Sequence, residues 1–235
     1  MSLRQAPFTR LAVLAAALVG LSACATFTDD NVVARVGDAE LSQHEFATET
    51  ETLPEAGGST ITGDAARGLI NQWIYLEASR AVGFIDRYEQ GPETSGVACI
   101  NVLVAADSAA ATKAVERLRA GTPASEVAND TDPTATGAGA RGCAPSADLG
   151  PEANAQLKGW SAADPHRVVE LPPNFYVVSL QSTDQLQVTE LLTTVQAIDP
   201  NVVTEVVGFV QDSDIYVDPR FGAFDFESGS VVALG

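Results

Sequence analysis

Histidine, cysteine and basic residues are scarce in this 235-residue chain, and each shortage excludes a class of function. The chain has two His and three Cys, and 13 Lys plus Arg against 31 Asp plus Glu. Because His44 and His166 are far apart and lack ligand-like spacing with the cysteines, the pattern predicts neither a metal site nor a Ser-His-Asp or Cys-His catalytic site. No Walker-type loop or GxGxxG turn is present, so no cofactor is predicted. A formal net charge of −18 opposes binding to phosphates, which excludes a nucleic-acid partner.

The N-terminal apolar segment LAVLAAALVGLSAC (11–24) is too short to span a membrane, which takes about 20 residues. It follows two arginines and ends in small residues before Cys24, which is typical of a secretory signal peptide over residues 1–23. The ending also resembles the lipobox of bacterial lipoproteins, in which the cysteine is diacylated. The alternative is an ordinary cleaved signal with a chance cysteine. We therefore expect an exported protein anchored through a lipid on Cys24 to the outer face of the cell membrane, or of another envelope membrane.

Two cysteines, Cys99 and Cys143, are left once Cys24 carries the lipid. Two cysteines in an oxidising compartment usually pair. Closing a loop of about 45 residues would remove roughly 4 kcal/mol of unfolded-state entropy. The alternatives are two buried free thiols or a metal pair, which lacks further ligands.

Local patterns predict strands and helices in an α+β arrangement. Ser42 and Glu45 fit a capping box, so a helix is expected from there to about residue 53. Residues 188–198 are ambiguous between helix and strand. The turn-rich segment QGPETSG (90–96) is a credible domain boundary. Apolar spacing predicts further helices at 64–82, 108–120 and 200–210, and β-branched runs predict strands at 32–36, 97–105, 174–181 and 215–217.

Two stretches of the chain resemble the SurA and PpiC-type group of exported folding factors. VVARVGDAELSQHEF (32–46) and RGLINQWIYLEASRAVGF (67–84) are similar to the opening strand-turn-helix of that family and to its later helix. Residues 99–181 have the layout of a parvulin-type domain, with a strand like INVLVA, the helix ATKAVERLRAG, a small helix, a glycine-rich loop and a closing strand like NFYVVSL.

The resemblance implies an α+β fold in which a SurA-like shell is completed by the C-terminal segment. The shell region would be 24–93, the parvulin-like domain of a small antiparallel sheet and helices 94–183, and the returning segment 184–235. Pairing of 32–36 with 215–217 would join the two ends of the chain. The valines at positions 203, 207 and 210 would then pack near Leu69, Ile70 and Trp73.

The resemblance also implies positions for an active site and a crosslink. Active parvulins resemble one another in a polar pocket with two buried histidines, and those positions fall here on Asn101 and Tyr176. Either side chain can donate a hydrogen bond to a twisted amide, whose rotation barrier is about 20 kcal/mol. The alternative is that both only line the core. The strands that carry Cys99 and Cys143 would be neighbours, with Cα atoms about 4.4–6.8 Å apart.

The function implied by the resemblance is that of a folding factor whose partners are unfolded exported polypeptides. Residual peptidyl-prolyl cis-trans isomerase activity is left open, because the histidines are replaced. The competing class is a non-enzymatic envelope scaffold that binds one specific partner. The two classes differ in breadth of binding: a folding factor should bind many extended apolar peptides, whereas a scaffold should bind only one protein. The sequence indicates no oligomeric state.

Overall fold

The structure of the protein is a computed structural model that describes residues 31–51, 61–131 and 140–235. The predicted signal peptide and Cys24 lie outside the described residues. The strands are β1 (Val32–Val36), β2 (Ala39–Ser42), β3 (Val97–Ala105), β4 (Ala140–Pro145), β5 (His166–Leu171), β6 (Asn174–Leu180), β7 (Ile215–Val217), β8 (Ala223–Asp225) and β9 (Ser230–Val232). The helices are α1 (Gln43–Glu51), α2 (Gly63–Ala81), α3 (Phe84–Glu89), α4 (Pro92–Ser95), α5 (Ser108–Arg119), α6 (Ala124–Thr131), α7 (Pro151–Gln156), α8 (Val188–Ile198) and α9 (Pro200–Asp212). The fold is therefore α+β.

A three-stranded sheet in the order β2-β1-β7 joins the two ends of the described chain. β1 and β2 form a hairpin at Gly37, whose φ of 55° suits a residue without a Cβ atom. β7 pairs antiparallel with β1, with Ala34 opposite Val217 and Val36 opposite Ile215. This is the pairing expected for the two β-branched runs, and each run gains a neighbour that covers one of its edges.

The capping box predicted at Ser42 and Glu45 is present, and a second side-chain cap begins α9. The Ser42 hydroxyl accepts a hydrogen bond from the Glu45 backbone N–H at 3.2 Å, and the Glu45 carboxylate accepts one from the Ser42 N–H at 2.9 Å. Asp199 caps α9 by accepting from the Asn201 N–H, and Pro200 stands in its first turn. The ambiguous segment 188–198 is the helix α8, since its buried residues recur at helical spacing.

The buried faces of α2 and α9 differ in part from the expected ones. On α9 the buried residues are Val202, Val206 and Val210, whereas Val203 and Val207 are only partly buried. Both sets have helical spacing, so periodicity alone does not separate them, and the structure places the centre of the buried face at Val206. On α2 the buried apolar residues are Ala66, Ile70, Ile74 and Ala78. Leu69 and Trp73, which were expected to pack near α9, line a groove on another side of α2, together with Leu41 and Phe46.

A four-stranded antiparallel sheet occupies the middle of the chain, in the order β4-β3-β6-β5. Its one face, with Leu103, Ala105 and Val177, packs against α5 and α6. Its other face, with Val178 and Leu180, belongs to the same hydrophobic core as α2, α8 and α9. The shell and the sheet, predicted as separate regions, therefore share one core.

A short ribbon of β8 and β9 packs against α2 near the C-terminus. The Tyr75 hydroxyl donates a hydrogen bond to the Gly229 carbonyl at 3.0 Å and ties the ribbon to the helix. At Gly222 a Cβ atom would lie 2.0 Å from the Val232 carbonyl oxygen, so only glycine fits this approach of the two backbones. Residues 228–230 of the ribbon form one wall of a groove that is described below.

Candidate functional site

The two predicted pocket residues lie on opposite faces of the four-stranded sheet. Asn101 of β3 is opposite Ser179 of β6, whereas Tyr176 is opposite Val104. Paired residues share a face of a sheet and successive residues alternate between faces, so Asn101 and Tyr176 point to different sides. The expected single pocket containing both is therefore not formed. Aligning apolar runs fixes a position along a strand, but a shift of one residue reverses its face.

The face that carries Asn101 has a polar side chain on each of the four strands. Arg141 is opposite Asn101, Asn101 is opposite Ser179, and Ser179 is opposite His166. The His166 Nδ1 and Ser179 Oγ atoms are 2.7 Å apart, and Ser179 is buried. The sequence signal for this pair was polar residues at the ends of HRVVEL and NFYVVSL, but only the β5–β6 pairing brings them together.

The surroundings of His166 favour the neutral imidazole. Burial lowers its pKa first, and the positive charge of Arg119 lowers it further, against the opposing effect of Asp164. Hydrogen bonds from Arg167 and Arg119 hold the pKa of Asp164 below its usual range. A neutral imidazole offers one donor and one acceptor nitrogen. The four polar side chains that lie across this face of the sheet can therefore hydrogen-bond a polar ligand. The Ser179 hydroxyl is buried, however, and is poorly placed to attack one.

Cys99 and Cys143 lie directly opposite each other on β3 and β4, with Sγ atoms 1.97 Å apart. Their Cα atoms are 3.9 Å apart, closer than the expected range. Residues opposite each other without mutual hydrogen bonds approach most closely in antiparallel sheets, at about 4.5 Å. The Cys143 N–H accordingly points outward and donates to the Glu190 carboxylate of α8 at 2.8 Å. Glu190 thus covers part of the β4 edge.

An apolar groove, here named the Trp73 groove, lies on one flank of α2. Two carboxylates, Glu49 and Asp184, are among its lining residues, and burial together with the negative charge of Asp184 raises the pKa of Glu49. The Gln72 amide donates to the Leu186 carbonyl at 3.1 Å and fixes the neighbouring chain to α2. The groove is lined by Leu41, Phe46, Glu49, Leu69, Gln72, Trp73, Leu76, Thr183 and Asp184.

A second groove, here named the Asn71 groove, lies on the opposite flank of α2, between α8, α9 and the β8–β9 ribbon. Its lining contains hydroxyl, amide and aliphatic groups, and no charged side chain. The Oδ1 atom of Asn71 is buried there without a hydrogen-bond partner among the described residues. The groove is lined by Asn71, Tyr75, Val188, Thr189, Leu192, Thr193, Gln196, Val203, Ser228, Gly229 and Ser230.

Comparison with known proteins gives no match: no family model, no curated protein and no solved structure is significantly similar to this chain. Within 31–51, 61–131 and 140–235, no cluster of three or more His, Cys, Asp or Glu residues could hold a metal ion. Over the same ranges, no helix has both the length and the apolar character needed to cross a membrane. A functional assignment therefore depends on the chemistry of the grooves and the sheet.

Proposed function

We propose that the protein is an exported folding factor, anchored by a lipid on Cys24, that holds extended segments of unfolded polypeptides. The observation that carries the proposal is the Trp73 groove, an apolar surface beside two carboxylates. Trp73, Leu69 and Leu76 are partly exposed on one flank of α2 and packed at their base against the core. A rigid helix thus presents apolar side chains to a ligand.

The chemistry of the Trp73 groove favours apolar and basic segments. Burying apolar ligand surface gains about 25 cal/mol per Å², and tryptophan is prominent among residues that dominate binding energy. The raised pKa of Glu49 reflects burial and repulsion from Asp184. A Lys or Arg side chain of a ligand beside these carboxylates would relieve that repulsion. The net charge of −18 adds a long-range attraction for basic segments.

The middle of the chain supports a parvulin-like domain in this proposal, without its usual pocket. Strand β3, helices α5 and α6 and closing strand β6 follow one another in the order that the resemblance implies. Since Asn101 and Tyr176 point to different faces of the sheet, we propose holding of unfolded chains rather than isomerisation. An assay on a panel of proline tetrapeptides should give rates close to the uncatalysed rate. Clear acceleration would overturn this part of the proposal.

We also propose that Cys99 and Cys143 are disulfide-bonded in the exported protein, where they would join β3 to β4. Mass mapping of non-reduced peptides should find the two cysteines in one linked fragment. Two free thiols in protein purified from the envelope would contradict it.

Breadth of binding tests the folding-factor proposal against a scaffold that binds one partner. Labelled peptides of varied sequence, rich in apolar and basic residues, should bind the mature chain, and acidic peptides of equal apolar content should bind more weakly. Trp73→Ser should reduce binding at least tenfold. Val104→Ser is the matched control, because Val104 is an exposed apolar residue on β3, 41% accessible, outside the groove. Binding to a single protein and to none of the peptides would favour the scaffold.

A further inference from the structure

Strand β5 is an edge of the four-stranded sheet, so half of its backbone groups have no strand beside them. The Leu180 N–H donates to the Pro165 carbonyl at 2.9 Å, so Pro165 and every second residue after it direct their backbone groups towards β6. The backbone groups of His166, Val168 and Glu170 therefore point away from the sheet. We name these three outward-facing positions the β5 edge.

A side-chain amide already occupies one position of the β5 edge. The Gln156 Oε1 atom accepts a hydrogen bond from the Glu170 N–H at 2.8 Å, and the Gln156 Nε2 atom donates one to the Glu170 carbonyl at 3.0 Å. The facing residue of an added antiparallel strand would make the same two hydrogen bonds. The chemistry that fits this edge is therefore that of a peptide main chain, which carries a donor and an acceptor at each residue.

The contact between Gln156 and Glu170 can be exchanged for a contact with another chain. Both residues are exposed, so their hydrogen bonds form in water. Water can replace such bonds at little cost, and the long Gln156 side chain gains rotamer freedom when it is released. The neighbouring position is open, because the Val168 N–H and C=O groups have no hydrogen-bond partner within 31–51, 61–131 and 140–235. Buried backbone groups are almost always paired, so these two groups face water.

The other end of the β5 edge is closed by arginines. The Arg119 and Arg167 side chains donate to the His166 carbonyl at 3.3 and 3.0 Å. These contacts leave Val168 and Glu170 as the pairing positions, each with one backbone donor and one backbone acceptor. A site of this size fits a short extended segment and makes no demand on the side chains of that segment.

We infer that the β5 edge is a second binding site, which accepts an extended segment of another polypeptide as a fifth strand of the sheet after Gln156 releases Glu170. The ligand is another polypeptide rather than a second copy of this chain, because two chains of formal net charge −18 repel each other. The inference rests on the proposed function and deepens it. The Trp73 groove selects apolar and basic side chains, whereas the β5 edge recognises the main chain, which every polypeptide has.

Hydrogen exchange followed by NMR tests the site on the mature chain carrying Trp73→Ser, in which the Trp73 groove is impaired. The probe is an end-capped heptapeptide of alternating Thr and Val, which is uncharged and favours extended structure. The Val168 amide should exchange several times more slowly when the peptide is added. The same peptide N-methylated at three consecutive central residues lacks central donors on both of its edges, and it should leave the exchange of Val168 unchanged.

Two variants in the same background should change binding of the unmethylated peptide in opposite directions. Gln156→Met keeps the length of the side chain but removes the competing amide, so the peptide should bind about tenfold more tightly. Val168→Pro removes the outward-facing N–H without removing a donor to β6, so the peptide should bind about tenfold more weakly. Val168→Ala is the matched control, because it shortens the same side chain, keeps the N–H and should bind like the parent.

Three results would overturn the inference: no slowing of exchange at Val168, unchanged affinity in Gln156→Met, or equal affinity in Val168→Pro and Val168→Ala. The first two decide the question if Val168→Pro does not fold. A dimer of Gln156→Met by light scattering that excludes the peptide would also overturn it, by assigning the edge to a second copy.

Basic apolar peptides on the chain with an intact Trp73 groove separate this inference from the proposed function. If these bind there while the neutral peptide does not slow exchange at Val168, only this inference fails. If the neutral peptide slows that exchange while Trp73→Ser leaves binding of the basic peptides unchanged, only the proposed role of the Trp73 groove fails. If neither peptide binds, both fail.

Discussion

The four-stranded sheet of this protein is built from one continuous stretch of the chain, whereas the shell is built from segments that are far apart in the sequence. The sheet and its helices come from one continuous stretch, Val97–Leu180, apart from the undescribed 132–139. The shell joins β1 at one end of the described chain to β7 and α9 at the other. Both grooves lie on the shell, where distant segments meet on the flanks of α2. The proposed binding surface of the Trp73 groove therefore lies in the region where segments from both ends of the described chain meet.

The two regions are nevertheless joined by a shared core and by a buried hydrogen bond. Tyr88 of α3 is fully buried, and its hydroxyl donates to the Gln181 carbonyl, just after β6, at 2.8 Å. Burial raises the pKa of Tyr88, so this hydroxyl keeps its proton. We therefore expect changes at the ends of the described chain to affect the shell first, and changes at Tyr88 to affect the junction.

The largest effect is expected from truncation at Asp199, which removes α9, β7 and the β8–β9 ribbon. It uncovers Ile70 and Ile74 and frees one edge of β1. Each uncovered apolar side chain costs roughly 1.5–3 kcal/mol, and together such losses match the total stability of a domain, about 5–15 kcal/mol. Limited proteolysis should cut residues 32–85 rapidly, before the four-stranded sheet. Undiminished resistance of 32–85 would show that the two ends are independent.

Replacing the lipidated cysteine should release the protein from the membrane without changing the structure of the shell or of the sheet. Only residues 25–31 separate Cys24 from β1, so the lipid would hold the shell, rather than the sheet, close to the membrane. Cys24→Ser should shift the exported protein from the membrane pellet to the soluble fraction, as followed by fractionation. A mutant that still sediments with membranes would contradict the lipid anchor.

A smaller effect is expected at the junction of the two regions. Tyr88→Phe keeps the ring but removes the donor to the Gln181 carbonyl, which should lower the free energy of unfolding by about 1–3 kcal/mol. Chemical denaturation measures this, and a single transition for both regions is expected because they share a core. Tyr75→Phe is the matched control, since its hydroxyl bonds to Gly229 in the ribbon, away from the junction. Two separate transitions in Tyr88→Phe alone would show that this contact couples the regions.

The smallest effect concerns pH and belongs to the sheet alone. Burial and the charge of Arg119 lower the pKa of His166 from 6.5, so the unfolded chain takes up this proton at a higher pH than the folded chain. The stability involved is fully present above pH 6.5 and is lost as the pH falls through the lowered pKa. The slope is at most about 1.4 kcal/mol per pH unit. In His166→Gln, the free energy of unfolding should depend less steeply on pH just below pH 6.5. An unchanged slope would exclude His166 as the cause of the pH dependence.

Contacts between neighbouring residues made part of this structure predictable from the sequence. The candidate sites were not predictable, because they depend on segments that are distant in the sequence. The capping box at Ser42 and Glu45 and the Asp199-Pro200 start of α9 depend on neighbouring residues, so the sequence indicates them directly. The faces of Asn101 and Tyr176 depend on strand register, which a one-residue difference reverses. The Asn71 groove needs residues from α2, α8 and β9, and no local pattern encodes that meeting.

Tryptophan fluorescence of the mature chain tests the central claim, that the Trp73 groove binds extended segments, most directly. Trp160 is 1% exposed and its indole N–H donates to the Pro165 carbonyl at 2.7 Å, so its emission should not respond to a ligand. Trp73 is partly exposed in the groove and should respond. Titration with a basic apolar peptide should give a saturable blue shift that Trp73→Phe abolishes and that an acidic peptide of equal apolar content does not produce. An emission spectrum that no peptide changes, or a shift that persists in Trp73→Phe, would contradict the account.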